Sequence, residues 1–167
     1  KAGELGAADS VISIGGNDDY NPESYAAAVQ SLVSAKSPSL ILVGSTSMGM
    51  DIANTVATAL DMPNISYCSD ISAGSGGFSY TSSMYGGKMN TVTNVDSPAV
   101  AMVLAGAFNA DAGRMTGSPT VEDFSADFGA GKVRFKRLIE PEDTDVDITQ
   151  SDILVAVGRG IGSKDDI

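Results

Sequence analysis

The sequence predicts an α/β domain built on a parallel sheet, with an antiparallel hairpin excursion. Three observations predict it. From Val11 to Leu60, short apolar runs without alternation, as strands buried on both faces require, take turns with stretches whose apolar residues recur at helical spacing. Strand, helix, strand, helix in that order implies parallel neighbours, because each helix returns the chain to the end of the sheet where it started. From Phe78 to Val95 the apolar spacing changes to every second residue around a glycine pair, which is how a hairpin reads.

Val11 to Ile14 is a β-branched run closed by Gly15-Gly16 and an acidic turn, and is expected to be a buried strand. Asn21-Pro22 supplies an N-cap and an N1 proline, and Tyr25, Val29, Leu32 and Val33 follow at helical spacing, so a helix is expected over Pro22 to Ser34. Leu40 to Val43 is the second strand. Gly44 to Gly49 then leads into a helix near Met50 to Leu60 carrying Ile52, Val56, Ala59 and Leu60. A weak strand at Ile65 to Cys68 precedes a turn-rich stretch, Ser72 to Gly77. The hairpin follows, with Tyr85-Gly86-Gly87-Lys88 at its turn.

Ala99 to Leu104 reads as another buried strand, the third member of a parallel sheet with Val11 to Ile14 and Leu40 to Val43. Asn109 to Ala130 has little periodicity and several turn formers, so it reads as a long irregular connection. Val133 to Ile139 alternates as an edge strand would. Glu140 to Asp147 is a charged linker, and Ile153 to Val157 reads as a short buried strand. Gly158 to Gly162 is then a glycine-rich turn, and Ser163-x-x-Asp166 a capping box opening a helix.

At 167 residues with 43% hydrophobic content, the chain is long enough to bury a core without disulfide or metal staples. Ten Lys and Arg against 21 Asp and Glu give a net charge of -11, which argues against nucleic acid or an anionic membrane as partner. The chain has no histidine, so classical triads and imidazole metal sites are excluded. Its one cysteine, Cys68, forms no internal disulfide. With no secretory leader expected either, the protein reads as intracellular, in the cytoplasm or, in a eukaryote, the mitochondrial matrix. The longest apolar stretch, Ala99 to Phe108, is about half the length that spans a bilayer, so no membrane insertion is expected.

Several groups invite a functional reading beside a structural one. Gly44-Ser45-Thr46-Ser47-Met48-Gly49 lies where helix N–H groups favour an anion, yet it lacks the lysine of a phosphate loop, and any strand-to-helix connection needs a tight turn. If the loop does bind, the chain is a stand-alone nucleotide-binding or hydrolytic α/β domain. Lys88 in the hairpin turn either reaches a ligand phosphate or blunts a sheet edge. Cys68 is either a redox thiol or a small core residue. The carboxylates Asp18, Asp19, Glu140, Glu142, Asp143, Asp145 and Asp147 form either a divalent-ion site or solvated loops. At Gly158-Arg159-Gly160, the glycines allow close backbone approach to a dinucleotide and Arg159 supplies a fixed positive charge; the alternative is a turn that merely permits tight packing.

Tyr20 to Leu60, the "YGGK" at Tyr85 to Lys88 and the terminal "VGRGIGSKDDI", in that order, together resemble the alpha subunit of electron transfer flavoprotein, the family also called FixB. The resemblance implies a Rossmann-like, adenine nucleotide alpha hydrolase-like domain over residues 1–140, without the family's first strand. It further implies an acidic linker over 141–150 and, over 151–167, the first strand and glycine loop of an FAD-binding domain. On this resemblance the protein is an electron carrier rather than an enzyme. It pairs with a beta subunit and passes electrons from flavin dehydrogenases to a quinone reductase or another acceptor. FAD would be held only in the full-length protein, with Gly158, Arg159 and Gly160 at its site, and AMP in such proteins is held by the beta subunit. Two positions depart from the family pattern: Met50 stands where an arginine is usual, and Leu104-Ala105 where an Arg-Pro pair is usual.

Overall fold

The computed structural model describes residues 6–16, 19–139, 148, 151–163 and 165. The described residues up to Phe135 form one compact unit and those from Lys136 onward a second. Among the described residues every strand and α-helix lies in the first. In chain order they are β1 (Ser10–Ile14), α1 (Pro22–Lys36), β2 (Leu40–Gly44), α2 (Ser47–Ala59), β3 (Asn64–Ala73), β4 (Gly77–Met84), β5 (Met89–Asp96), β6 (Ala99–Val103), α3 (Ala110–Gly113) and β7 (Thr120–Phe124).

Helix α1 starts where the Asn-Pro pair predicts. The Asn21 side-chain oxygen accepts from the backbone N–H groups of Glu23 and Ser24, both at 3.1 Å, and Pro22 occupies the first helical position. The helix ends at Lys36, whose charge suits the carbonyl end, and Ser37 turns left-handed at φ 47° to return its N–H to the Val33 carbonyl. Its buried face, Ala26 and Val33, packs on Val56 of α2, and α2 in turn lies on the sheet.

The main sheet has five strands in the order β2-β6-β3-β4-β5. β2, β6 and β3 run parallel, while β3, β4 and β5 are antiparallel. β6 lies inside this sheet, and its residues show how a strand without alternation is buried. Val100 and Met102 meet Ala53 and Ala57 of α2 on one face. On the other, Ala99 and Ala101 join Cys68 and Tyr80. The small residues on α2 let the helix lie close over the β6 side chains.

The fold class is therefore as the sequence predicts, a mixed α/β domain with a parallel core and an antiparallel hairpin, but the arrangement differs in five places. Val11 to Ile14 does not join Leu40 to Val43 in one sheet: β1 pairs in parallel with β7 in a separate two-stranded ladder. As a result β2 is an edge strand, and Leu42 is 58% exposed. The connection expected to be irregular contains α3 and β7. The β7 residues are mostly exposed, so they leave no apolar pattern to read.

Val133 to Ile139 is not a strand. The Val133 N–H goes to the Glu23 carboxylate at 3.1 Å and its carbonyl accepts from the Asn21 side-chain amide, so the start of α1 takes the groups that a neighbouring strand would need. Ile153 to Val157 is not a buried strand either. Ile153, Leu154, Val155 and Val157 are all exposed, because among the described residues no strand accepts their backbone groups. Of the helix expected after Ser163, Asp165 alone is among the described residues; it lies in a helical turn, with its N–H 3.3 Å from the Ser163 hydroxyl oxygen. The acidic stretch from Glu140 to Asp147 also lies outside them.

Candidate functional site

Two features that stand out in the sequence border the sheet, one at the C-terminal end of β2 and one beside the hairpin. The first is the turn from β2 into α2. The Ser45 N–H donates to the Val103 carbonyl at 2.8 Å, tying the turn to β6. Thr46 caps the helix, its hydroxyl oxygen accepting from the Gly49 N–H at 3.0 Å. Gly49 is buried against the strand it leaves: a methyl group there would collide with the Gly44 carbonyl oxygen and press on the Val43 side chain. The second glycine thus serves close helix-to-strand packing, which favours the structural reading of this loop.

The surroundings of the turn are also poor for an anion. The Tyr20 hydroxyl lies 3.4 Å from the Met48 carbonyl and 3.5 Å from the Asp51 carboxylate. Burial, followed by the Asp51 charge, raises the Tyr20 pKa above the usual phenol value. Met50, at the start of α2, packs its apolar side chain against the core made by Ala53, Ala57, Val100 and Met102.

The second feature is a groove of about 930 Å³ beside the hairpin, lined in part by Asn64, Tyr67, Ser82, Tyr85, Thr93 and Leu104. The "YGGK" motif is its turn. Tyr85, Gly86 and Gly87 take φ values of 51°, 67° and 86° in succession, a run that only glycine tolerates easily at its second and third positions. Tyr67 is the other unusual residue. It sits at φ 56° where β3 shifts register between Ile65 and Cys68, so two tyrosines with left-handed backbones border one groove. The hairpin was legible in the sequence. The bulge at Tyr67 was not, since nothing in "ISYCS" marks it. Among the described residues none that lines the groove carries a charge at neutral pH. The groove suits an uncharged surface better than acid–base chemistry.

Cys68 lies behind this groove, fully buried. Its thiol is 3.5 Å from the Ile65 carbonyl and 4.0 Å from the Ser82 hydroxyl, and burial raises its pKa, with the Ser82 contact opposing. That is the environment of an inert core thiol. Tyr80, also fully buried, has its pKa raised by burial and then by Cys68. Among the described residues no three carboxylate or thiol side chains come together as a metal site; Asp18, Glu140, Glu142, Asp143, Asp145 and Asp147 lie outside them.

Gly158-Arg159-Gly160 belongs to the second unit. It forms an exposed turn in which the Ile161 N–H returns to the Gly158 carbonyl at 3.1 Å, and a methyl group on either glycine would meet nothing within 4 Å. A dinucleotide needs walls as well as glycines. On the described residues alone this loop offers a guanidinium and accessible backbone but no enclosing cradle, so these residues by themselves do not fit FAD. No helix among the described residues is long and apolar enough to cross a membrane.

The family model for the electron transfer flavoprotein domain matches residues 3–128, which take in every strand and helix of the first unit. The chain belongs to the electron transfer flavoprotein family. It is of the alpha type. The electron transfer flavoprotein subunit alpha of Methylophilus methylotrophus is 27% identical over 97% of this chain and 51% of its own length. The corresponding subunit of Bacillus subtilis is 24% identical over 87% of this chain and 45% of its own. Protein FixB of Clostridium saccharobutylicum is 28% identical over 95% and 49% respectively. The chain thus spans about half the length of these relatives. Gly158 to Gly160 falls outside the residues that the family model matches.

Proposed function

We propose that this chain is part of the alpha subunit of an electron transfer flavoprotein, which carries electrons through FAD rather than transforming a substrate. The observation that carries this reading is the family match over residues 3–128, supported by relatives named as alpha subunits that align with nearly the whole chain. In this proposal residues 1–140 are the scaffold on which a beta subunit rests, 141–150 are a linker, and 151–167 open the flavin domain of a longer protein. Its donors are flavin dehydrogenases and its acceptor a quinone reductase or another carrier. Gly158 and Gly160 then allow close backbone approach, and Arg159 supplies a charge that does not titrate near neutral pH. A cation beside a flavin favours its anionic reduced forms and raises its potential.

The test is Arg159→Ala in the longer protein, co-purified with its beta subunit. A lower flavin content, or a lower reduction potential at unchanged content, is the expected result. Content, spectrum and potential all equal to the parent would reduce the loop to a turn.

A further inference from the structure

We propose that β5 is a self-complementary docking edge that pairs antiparallel with β5 of a second copy of this chain, joining two five-stranded sheets into one. This rests on strand geometry and charge placement, independently of any flavin chemistry. β5 is the outer strand of the main sheet, and among the described residues no strand lies beyond it. Its register with β4 is unbroken from Met89 to Asp96, without a bulge. It contains no proline, and its interior, Asn90 to Val95, contains no charge. Edges that must stay unpaired are usually blunted by such devices, and the interior of this one has none.

The direction of its backbone groups fixes how a partner strand would register. Ser97 N–H donates to the Gly76 carbonyl at 3.3 Å, in line with the β4–β5 register that pairs Gly77 with Asp96. In an antiparallel ladder, directly opposed residues alternate between hydrogen-bonded and non-bonded pairs. Met89, Thr91, Thr93 and Val95 therefore direct their N–H and C=O groups to β4, while Asn90, Val92, Asn94 and Asp96 direct theirs outward. A two-fold partner must oppose outward residues to outward residues, so the axis must pass a residue rather than fall between two.

A centre on Val92 engages the whole strand. It opposes Val92 to Val92, Asn90 to Asn94, Thr91 to Thr93 and Met89 to Val95. It also opposes Lys88, at the end of the turn, to Asp96 at the far end of the partner strand, and does so twice. Those are the two charged residues between Asp70 and Asp111, opposite in sign and equally spaced about the centre. Centres on any other residue of the strand lose both ion pairs, since 88 and 96 are equidistant from 92 alone. Val92, at 67% exposed, has its apolar side chain free for this contact. Opposed apolar, hydroxyl and opposite-charge pairs all favour cross-strand association, and an isologous interface of this kind closes at two copies.

The experiment is sedimentation equilibrium of the 167-residue chain at low ionic strength. The parent is expected to dimerise. Val92→Lys sets two ammonium groups against each other across the axis and is expected to weaken the dimer by at least about tenfold. Lys88→Glu should weaken it as well, and adding Asp96→Lys should restore it. Within one chain these residues are eight apart along the strand, about 27 Å, so such a rescue can only act between copies. All three side chains are exposed, so circular dichroism, and the melting temperature at a concentration where parent and variants are monomeric, should not move. A parent that stays monomeric at about 100 μM, a dimer indifferent to Val92→Lys, or a charge swap that fails to rescue would each overturn the proposal.

Discussion

Tyr80 carries a hydroxyl into a fully buried position among Cys68, Ala99 and Ala101, and that oxygen has no hydrogen-bond partner among the described residues. An unsatisfied buried hydroxyl costs about 1–3 kcal/mol. Tyr80→Phe keeps the ring packing and removes the cost, so thermal melts should show a gain of about 1 kcal/mol. A loss of that size would mean the hydroxyl has a partner. Gly49 is the opposite case, a residue whose lack of a side chain holds two elements together. Gly49→Ala forces the α2 start away from Gly44, and urea denaturation should show a loss of about 2–3 kcal/mol. Both residues were visible in the sequence as types, a strand tyrosine and a loop glycine. Their importance comes from what surrounds them, and the string does not hold that.

At the scale of elements, α1 does more than pack on α2. Its first turn binds the chain that follows β7: Glu23 accepts from the N–H groups of Lys132 and Val133, and Asn21 donates to the Val133 carbonyl. Glu23→Ala should therefore speed amide exchange at Lys132 and Val133 while leaving the exchange of β6 unchanged, a split that a general loss of stability would not produce. The Lys36–Glu122 ion pair, 2.8 Å long but exposed on both sides, ties the other end of α1 to β7 and is worth at most about 1 kcal/mol. The α2 start is capped by Thr46 and lies near Asp51 through Tyr20, so calorimetry of this chain with AMP or ATP should give no micromolar affinity. Heat consistent with such binding would favour a nucleotide-binding domain. Helices and hairpin were legible because caps, turn glycines and periodicity are local signals. β7 was not, since its mostly exposed residues are held by pairing with β1 and by Lys36 rather than by burial.

For the molecule as a whole, Cys68 and Tyr80 share one core cluster, and burial pushes both above their usual values of 9.0 and 10.0. A group whose folded-state pKa is raised holds its proton in the native state after the unfolded chain has lost it. Its stabilisation is complete below the unfolded value and is lost as pH rises through the folded one. Melting temperature should fall once pH rises above about 9 for this reason, and Cys68→Ala should delay the onset towards the tyrosine range. An onset unchanged in Cys68→Ala would show that the thiol is not the group involved. Among the described residues the sheet is also open at both ends. β2 exposes Leu42 at one edge and β5 exposes Val92 at the other, and the two differ in kind: β2 is apolar and parallel to its neighbour, while β5 is antiparallel and bounded by opposite charges.

The sequence alone determined the order of strands and helices from Val11 to Val103, the cap of α1, the hairpin turn and the family. Each of these rests on neighbours within a few residues or on motifs kept in order. Only the tertiary structure decided that β1 leaves the main sheet for β7, that β2 is an edge, that Val133 bonds to α1, and that Ile153 to Val157 stays exposed. The physical reason is common to all four. A backbone N–H or C=O is satisfied by whichever partner the fold brings to it, and an apolar run becomes a strand only where a neighbour can accept its hydrogen bonds. Periodicity records which side chains seek burial, and it carries no record of which strand will be beside them.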